Sequence, residues 1–581
     1  MKGIAPTLAT IWRLASPYFY SEDRKAGRIL LAAVIATELS LVAINVLLNQ
    51  WNNRFYNALQ DRNWDAFVTE LLFFCVLAGA YILLAVYQVY LNQWLQIRWR
   101  QWMTKAYLGD WLTDANHYRM QLLGDAADNP DQRIAEDIQM FVERTLTIGI
   151  GLLSALVTLG SFVIILWTLS VEAPLHLFGG EWNIPGYLVW AALIYAVIGT
   201  YFTHLIGWPL VTLNFNQQRF EADFRFNLVR VRENSEQIAL LKGELAETDR
   251  LVQRFGRVVA NWLLIMSRTK KLTFFTASYS QVSIVFPYVV VSPAYFAGKM
   301  QLGGLMQTAS AFNSVQTALS FFINVYRSLA EWRSVIQRLD GFSLAVAAAQ
   351  AAAHTPPRVE VQAGDTGAVE LRDVAVNLPT GTPLVAVDNV KLPRGEPALV
   401  TGPSGSGKST LFRAIAGIWP FGSGRVVVPK DAHLMMLPQR PYFPVGPLAA
   451  AVSYPAEAGS YDRERVAEAI TAVGLPALAQ RIDEEAHWNR MLSLGEQQRL
   501  GIARALLQKP DFLFLDEATA SLDEPAEAAL YRLLQERLPN ATVVSIGHRS
   551  TLAAFHRRGL ALERDGDRFK LREAALKPAA E

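Results

Sequence analysis

Six stretches of this chain are long and apolar enough to cross a membrane as helices. About 20 apolar residues span a hydrocarbon core ~30 Å thick, and a helix satisfies its own backbone hydrogen bonds there. The predicted spans are Ile29–Leu48, Phe67–Leu91, Leu146–Leu169, Pro185–Leu213, Leu272–Phe296 and Leu305–Tyr326. The first part of the chain, residues 1–341, is therefore predicted to be an all-α membrane domain.

The distribution of basic residues predicts how this domain is oriented. No Lys or Arg lies between Arg144 and Arg219, and the loop Ser170–Ile184 inside that gap carries two glutamates. Cytoplasmic loops are enriched in Lys and Arg. We therefore expect this loop on the outer side, and the basic segments Gln93–Thr145 and Asn214–Lys271, as helical extensions of the spans, in the cytoplasm with both termini.

Composition argues against several other classes of protein. The 581 residues include 54 Lys and Arg against 52 Asp and Glu, so no excess positive charge favours nucleic acid as a partner. The single cysteine, Cys75, can form neither an internal disulfide nor a cysteine-based zinc site.

Polar side chains interrupt the predicted spans. Such groups are costly against lipid, so they should line a hydrated cavity or pack against other helices. We favour the cavity because the last two spans contain many of them. The candidate cavity residues are Glu38, Gln281, Gln307 and Asn313.

The pattern changes after the last span. Residues 342–367 contain an alanine-rich run, Ala345–Ala353, followed by two prolines, and are predicted to be a linker. From residue 368 to 581, short apolar strands alternate with helical stretches, which predicts an α/β domain.

The α/β domain contains a phosphate-binding loop. Residues 402–409 read Gly-Pro-Ser-Gly-Ser-Gly-Lys-Ser between a predicted strand and a predicted helix, as in G-x-x-x-x-G-K-[ST]. Backbone N–H groups and the helix N-terminus would hold phosphate oxygens, the lysine would bridge phosphates, and the serine would bind Mg²⁺. The expected nucleotide ligands are Gly402, Ser404, Gly405, Ser406, Gly407, Lys408, Ser409 and Thr410.

Two carboxylates follow a second apolar strand. The apolar stretch in residues 511–515 is followed directly by Asp516 and Glu517. A buried strand would deliver both acids to the carboxyl edge of the sheet. We expect Asp516 to hold Mg²⁺ and Glu517 to polarise the attacking water.

Residues 492–499, Leu-Ser-Leu-Gly-Glu-Gln-Gln-Arg, resemble the LSGGQ signature of ABC ATPases. The resemblance implies that Ser493, Gly495 and Glu496 complete the ATP site of a second copy. Leu494 and Glu496 depart from the family pattern.

Further matches follow in the family's order. Gln439 resembles the Q-loop residue that senses Mg²⁺, Asp523 lies in a D-loop-like segment, and His548 resembles the switch histidine that contacts the γ-phosphate. Leu378 takes the place where many members stack an aromatic ring on adenine.

The membrane half adds a second resemblance. The motif Asn129–Ile138 and the segment Glu233–Glu244 are similar to those of SbmA/BacA-like peptide transporters and peroxisomal ABCD-type fatty-acyl transporters. This implies an exporter-type fold with domain-swapped helices, a homodimer using ATP and Mg²⁺, and a place in the bacterial inner membrane.

The sequence leaves the transported solute open. The SbmA/BacA-like resemblance implies a peptide or other bulky hydrophilic solute, which agrees with the polar faces of the last spans, and it implies import because several members of this branch import. Long-chain fatty acids or acyl-CoA are the alternative cargo. A membrane ATPase that gates or regulates without transport is an alternative of another class.

Overall fold

The computed structural model describes residues 4–124, 129–172, 175–177, 180–182 and 184–576. The chain divides into two compact units. One comprises Met1–Leu108 and Asn129–Phe342, and the other comprises Gly109–Asp128 and Ser343–Glu581.

The first unit consists mainly of long helices. The helices described up to residue 354 include one, Asn116–Leu122, that belongs to the second unit. In chain order they are α1 (Ile4–Ala15), α2 (Arg24–Gln60), α3 (Trp64–Leu112), α4 (Asn116–Leu122), α5 (Pro130–Gln132), α6 (Ile138–Glu172), α7 (Tyr187–Glu233), α8 (Ser235–Leu240), α9 (Glu244–Phe296), α10 (Leu302–Leu319) and α11 (Phe321–His354). A short antiparallel hairpin, β1 (Leu175–Leu177) and β2 (Gly180–Trp182), follows α6.

Five helices in the described residues are long and apolar enough to cross a membrane. They coincide with the first five predicted spans and lie in α2, α3, α6, α7 and α9. Several also extend far beyond a bilayer: α9 has 53 residues, or roughly 80 Å at 1.5 Å per residue. The predicted extension of spans into long helices is therefore confirmed for α3, α7 and α9.

The sixth predicted span, Leu305–Tyr326, differs from the other five. It lies in α10 and the start of α11, which are separated at Ser320. Helix α10 packs against α2, α6, α7 and α9, so much of its polar surface meets other helices. The helix α10 can therefore carry polar residues. It is not among the five helices whose length and composition suit a membrane span.

A row of amides joins α10 to α2. Asn53 donates from Nδ2 to Gln307 Oε1 at 2.7 Å, and Gln307 donates from Nε2 to Asn49 Oδ1 at 3.2 Å. One turn further along α2, Asn57 Oδ1 accepts the backbone N–H of Gly303 at 2.8 Å. These bonds satisfy polar groups between two apolar helices and fix their register.

Gly303 lies at a close approach of the two helices. A Cβ atom at this position would lie 1.9 Å from the carbonyl oxygen of Asn53 and 2.4 Å from Asn57 Oδ1. We expect Gly303→Ala to force α10 away from α2 and to destabilise the domain by about 1–3 kcal/mol. The measurement is thermal unfolding of the detergent-solubilised protein.

Gly79→Ala is the matched control for this prediction, because a Cβ on Gly79 of α3 would meet no atom within 4 Å. Equal melting temperatures for the Gly303→Ala and Gly79→Ala proteins would contradict the close approach.

The candidate cavity residues have different surroundings. Gln307 is buried in the amide row, so the structure supports helix packing rather than cavity lining for this residue, because neighbouring amides satisfy its polar atoms. Gln281 and Asn313 are exposed in the single chain, and half-buried Glu38 accepts a hydrogen bond from Gln88 Nε2 at 2.9 Å. A cavity role for these three residues remains a prediction.

The motif Asn129–Ile138 contains a π-helical turn, Arg133–Asp137. Its buried Asp137 accepts hydrogen bonds from Arg338 Nε at 2.8 Å and Nη2 at 2.6 Å, and from Arg133 Nη1 at 2.6 Å. A buried carboxylate held by two guanidinium groups is fully paired, and it joins the motif to α11.

The second unit is built on one large sheet. Its strands are β3 (Glu360–Gly364), β4 (Ala368–Asn377), β5 (Pro383–Pro393), β6 (Ala398–Thr401), β7 (Gly422–Pro429), β8 (Leu434–Leu437), β11 (Phe512–Asp516), β12 (Thr542–Ile546), β13 (Arg558–Asp565) and β14 (Arg568–Ala574). The order is β3-β7-β4-β5-β14-β13-β6-β12-β11-β8, and a separate two-stranded pair joins β9 (Gly446–Pro447) to β10 (Glu485–Ala486).

Helices cover the sheet on both faces. They are α12 (Lys408–Ile415), α13 (Leu448–Ser453), α14 (Arg463–Ala472), α15 (Pro476–Ala479), α16 (Trp488–Met491), α17 (Leu494–Gln508) and α18 (Glu524–Arg537). Phe512 and Phe514 of β11 join the core that includes α12, whereas Leu513 and Leu515 join the core that includes α17. This burial on both faces explains why the strand is continuously apolar.

The predicted linker, residues 342–367, is largely regular structure. Helix α11 continues through Ala345–Ala353 to His354, because alanine is the strongest helix former. Strand β3 then pairs in parallel with β7. Low complexity therefore did not prevent the alanines from forming a helix, and the predicted domain boundaries remain a prediction.

Helix α4 belongs to the second unit although its sequence lies among the membrane spans. Tyr118 and Leu122 pack against the core that contains Trp419, and Arg119 Nη2 donates to the Gly417 carbonyl at 3.4 Å. Burial lowers the pKa of Arg119. Part of a predicted cytoplasmic segment therefore folds with the α/β domain.

Candidate nucleotide-binding site

The predicted site residues follow four neighbouring parallel strands. Strands β6, β12, β11 and β8 are adjacent and parallel. Their carboxyl ends lead to the phosphate loop, His548, Asp516 and Gln439 respectively. In open α/β sheets, ligands bind at this edge.

The phosphate loop passes from β6 into α12. Gly407 has φ +91° and precedes the helix, and a Cβ there would lie 2.6 Å from Val385 Cγ2, so only glycine fits. Buried Lys408 donates from Nζ to the carbonyl oxygens of Gly402 and Pro403, both at 2.9 Å. Burial lowers the pKa of Lys408, and phosphate groups would oppose that effect.

Two features of the loop fit ATP and Mg²⁺. The hydroxyl oxygen of Ser406 is buried and has no hydrogen-bond partner among the described residues, as expected if a phosphate oxygen supplies one. Ser409 Oγ donates to Asp516 Oδ1 at 2.7 Å. The Ser409 hydroxyl and the Asp516 carboxylate supply oxygen ligands of the kind that Mg²⁺ prefers. A bound Mg²⁺ would neutralise charge on the phosphates. Burial raises the pKa of Asp516, and a bound Mg²⁺ would oppose that effect by favouring the carboxylate.

Glu517 lies between two side chains that the sequence predicted for the site. Gln439 Nε2 donates to Glu517 Oε2 at 3.2 Å, and His548 Nε2 lies 3.2 Å from Glu517 Oε1. Glu517 has φ +50°, which is uncommon for a residue with a side chain. The carboxylate thus lies between an amide and an imidazole, and its role as the proton acceptor for water remains a prediction.

The signature segment forms the N-terminus of α17. Ser493 Oγ accepts the Glu496 N–H at 3.3 Å, and Glu496 Oε2 accepts the Ser493 N–H and hydroxyl, both at 2.8 Å. This is a capping box. Glu496, which replaces the glutamine of the family signature, thus helps to cap the helix. The sequence did not predict this structural role. The nucleotide contacts of Ser493, Gly495 and Glu496 remain predictions.

Comparisons with known proteins agree with this geometry. Residues 14–296 match the family ABC transporter transmembrane region 2, and residues 386–520 match the family ABC transporter. The inner membrane ABC transporter ATP-binding protein YddA of Escherichia coli K12 is 35% identical, covering 92% of this chain and 94% of its own length. The chain belongs to the ABC transporter family.

Other relatives show which branch the transporter resembles. The chloroplastic ABC transporter D family member 2 of Arabidopsis thaliana is 33% identical over 95% of this chain and 86% of its own. The lysosomal cobalamin transporter ABCD4 of mouse (Mus musculus) is 26% identical over 94% and 92% respectively. The protein is thus an ATP-driven transporter of the D type.

The fold comparison confirms the predicted fold class. A bacterial Atm1-family ABC exporter with ATP bound superposes with a TM-score of 0.71 at 18% identity, covering 93% of this chain and 94% of the other. The transporter has the exporter-type fold, and its ATPase domain uses ATP with Mg²⁺. This half-transporter fold implies dimerisation.

Sequence reasoning missed a second layer of residues in the transporter. Buried Glu527 accepts hydrogen bonds from Thr519 Oγ1 at 2.6 Å and Arg549 Nη1 at 3.3 Å. It thereby ties the residue after His548 to the loop after Glu517. Asp523, which the sequence did predict for the site, caps α18 by accepting the Ala526 N–H at 3.0 Å. A charged residue on the apolar-facing side of α18 was the available signal for Glu527.

Proposed function

We propose that the transporter works as a homodimer that imports a peptide or another bulky hydrophilic solute across the bacterial inner membrane, with both termini and the ATPase domains in the cytoplasm. The observation that carries the dimer is that the predicted site residues lie on two kinds of element, the carboxyl ends of the strands and the N-terminus of α17. Lys408, Asp516, Glu517 and His548 gather at the strand ends, whereas Ser493 forms a capping box at the start of α17. A second copy would supply its Ser493 to each nucleotide.

The end of α8 supports the same assembly. Leu240, Leu241 and Leu245 are 77%, 82% and 83% exposed in the single chain. They lie in a segment that the charge pattern places in the cytoplasm, where exposed leucines would otherwise be unfavourable. The second copy would cover them.

The nature of the solute rests on two supports. The SbmA/BacA-like resemblance favours peptides, and one relative is named as a lysosomal transporter of cobalamin, which is itself a large polar solute. The peroxisomal resemblance supports acyl-CoA as the alternative.

Transport by purified protein in proteoliposomes tests the proposal. Vesicles are preloaded with a labelled peptide, corrinoid or acyl-CoA, and Mg-ATP is added outside, where it reaches only outward-facing ATPase domains. An importer should release the solute upon ATP addition, and Glu517→Gln protein is the control.

Each result of this experiment has a defined meaning. Release of acyl-CoA alone would replace the hydrophilic cargo with the alternative, and ATP-driven uptake into empty vesicles would reverse the direction. ATP hydrolysis that no solute stimulates, without movement of any solute, would favour a gating or regulatory ATPase.

A further inference from the structure

Gln498 connects three parts of the ATPase domain through one side chain. Its Nε2 donates to the carbonyl oxygen of Gln439 at 3.0 Å and to that of Glu517 at 3.4 Å, and its Oε1 accepts the N–H of Ser521 at 3.0 Å. The side chain is on α17 and the residue is 1% exposed. Nearly the whole hydrogen-bonding capacity of the amide is therefore used on backbone groups of catalytic loops.

We propose that Gln498 is a positioning residue for ATP hydrolysis, which holds the backbone of Glu517 and links it to the signature segment of the same chain. This inference rests on the proposed catalytic role of Glu517.

The backbone of Glu517 needs such support. A left-handed conformation with a side chain costs free energy and persists only where the surroundings determine it. Its N–H donates to the Ile546 carbonyl at 3.3 Å, and Gln498 binds its carbonyl. Gln498 also binds the carbonyl of Gln439, whose side chain donates to the Glu517 carboxylate. Loss of the Gln498 amide would therefore free the backbone of Gln439 and the backbone of Glu517, whose side chains bond to each other.

The position of Gln498 on α17 gives the link between sites. Ser493 caps this helix, and Gln498 follows five residues later, about 7.5 Å along the axis. A nucleotide bound to the phosphate loop of the second copy would contact Ser493 and shift α17 as a rigid element. Gln498 would transmit that shift to Glu517 of its own chain and, through Ser521, to the loop that leads to Asp523.

Two substitutions separate hydrogen bonding from packing. Gln498→Met keeps the length of the side chain but removes all three bonds. Gln498→Glu keeps an acceptor for Ser521 but cannot donate to the two carbonyls when ionised. Gln508→Met is the matched control, because Gln508 lies on the same helix and donates to the carbonyls of Ser453 and Tyr454, outside the nucleotide site.

We expect both Gln498 variants to lower kcat for ATP by about tenfold to a hundredfold, as misplacement of a catalytic group does, with KM changed less than about twofold. Gln508→Met should keep both constants. Rates are expressed per folded dimer recovered from gel filtration, so loss of folded protein does not affect them. Normal kcat in Gln498→Met, or in Gln498→Glu, would overturn the role of the donated bonds.

A double-substitution cycle tests the link to the signature segment. Ser493→Ala should lower kcat less in the Gln498→Met background than in the native background, because the two residues would act through one element. Fully additive effects would overturn the link. Glu517→Gln distinguishes the two levels: if that variant turns over normally, the proposed site fails, whereas an inactive Glu517→Gln with a normal Gln498→Met refutes only this inference.

Discussion

Glu517→Gln is expected to abolish steady-state ATP hydrolysis, with a loss of at least a hundredfold in kcat. Glutamine has the shape of glutamate and can still bond with Gln439 and His548, but it cannot take a proton from the attacking water. ATP should therefore bind and remain trapped in the closed dimer. The measurement is phosphate release by the purified protein, together with retention of labelled ATP after rapid gel filtration.

Glu536→Gln is the control for this experiment, because Glu536 is exposed on α18. The Glu536→Gln protein should hydrolyse ATP at the native rate. A Glu517→Gln protein with undiminished turnover would remove Glu517 from the catalytic role. Loss of turnover without retained ATP would instead indicate that the carboxylate is needed for binding.

Lys408→Ala should weaken ATP binding by at least about thirtyfold, or ~2 kcal/mol, as expected when one partner of a buried charge pair is removed. The Lys408 ammonium is buried beside the loop carbonyls, where no other residue of the loop supplies a full positive charge. Equilibrium binding of ATP by the purified dimer measures the effect. Because burial lowers the pKa of Lys408, native affinity should decline as alkaline pH removes its proton.

Lys430→Ala is the matched control, because Lys430 is an exposed lysine of the same domain that pairs with Asp365 at 3.0 Å. Exposed ion pairs contribute little, so ATP affinity should not change. Equal affinity for the Lys408→Ala and native proteins would contradict the phosphate-loop assignment.

The sequence predicted the ATPase core well because its chemistry is local. A loop such as 402–409 must have glycines and a lysine at fixed spacing, and Asp516 and Glu517 must end a buried strand, so each pattern is visible without the fold. The long membrane helices were also predictable, since lipid requires uninterrupted apolar runs. These features need no knowledge of distant neighbours.

What the sequence did not predict depends on tertiary contacts. Gln307 looked like a cavity residue, but Asn49 and Asn53, more than 250 positions away in sequence, satisfy it. Ala345–Ala353 looked like a linker because composition does not show that α11 continues. Gln498 lay within a recognised motif, yet its partners belong to two other segments, at Gln439 and at residues 517–521. Long-range partners of this kind are not encoded in spacing.

The placement of α4 has a consequence for hybrid proteins. Residues 109–124 pack into the core of the ATPase unit, although several membrane helices separate them from it in sequence. An exchange of ATPase domains between two relatives at residue 343 would leave this packing partner behind and confront Tyr118 and Leu122 with a foreign surface. Functional chimeras should therefore require two grafts, the carboxyl-terminal segment and the 109–124 insert, taken from the same parent.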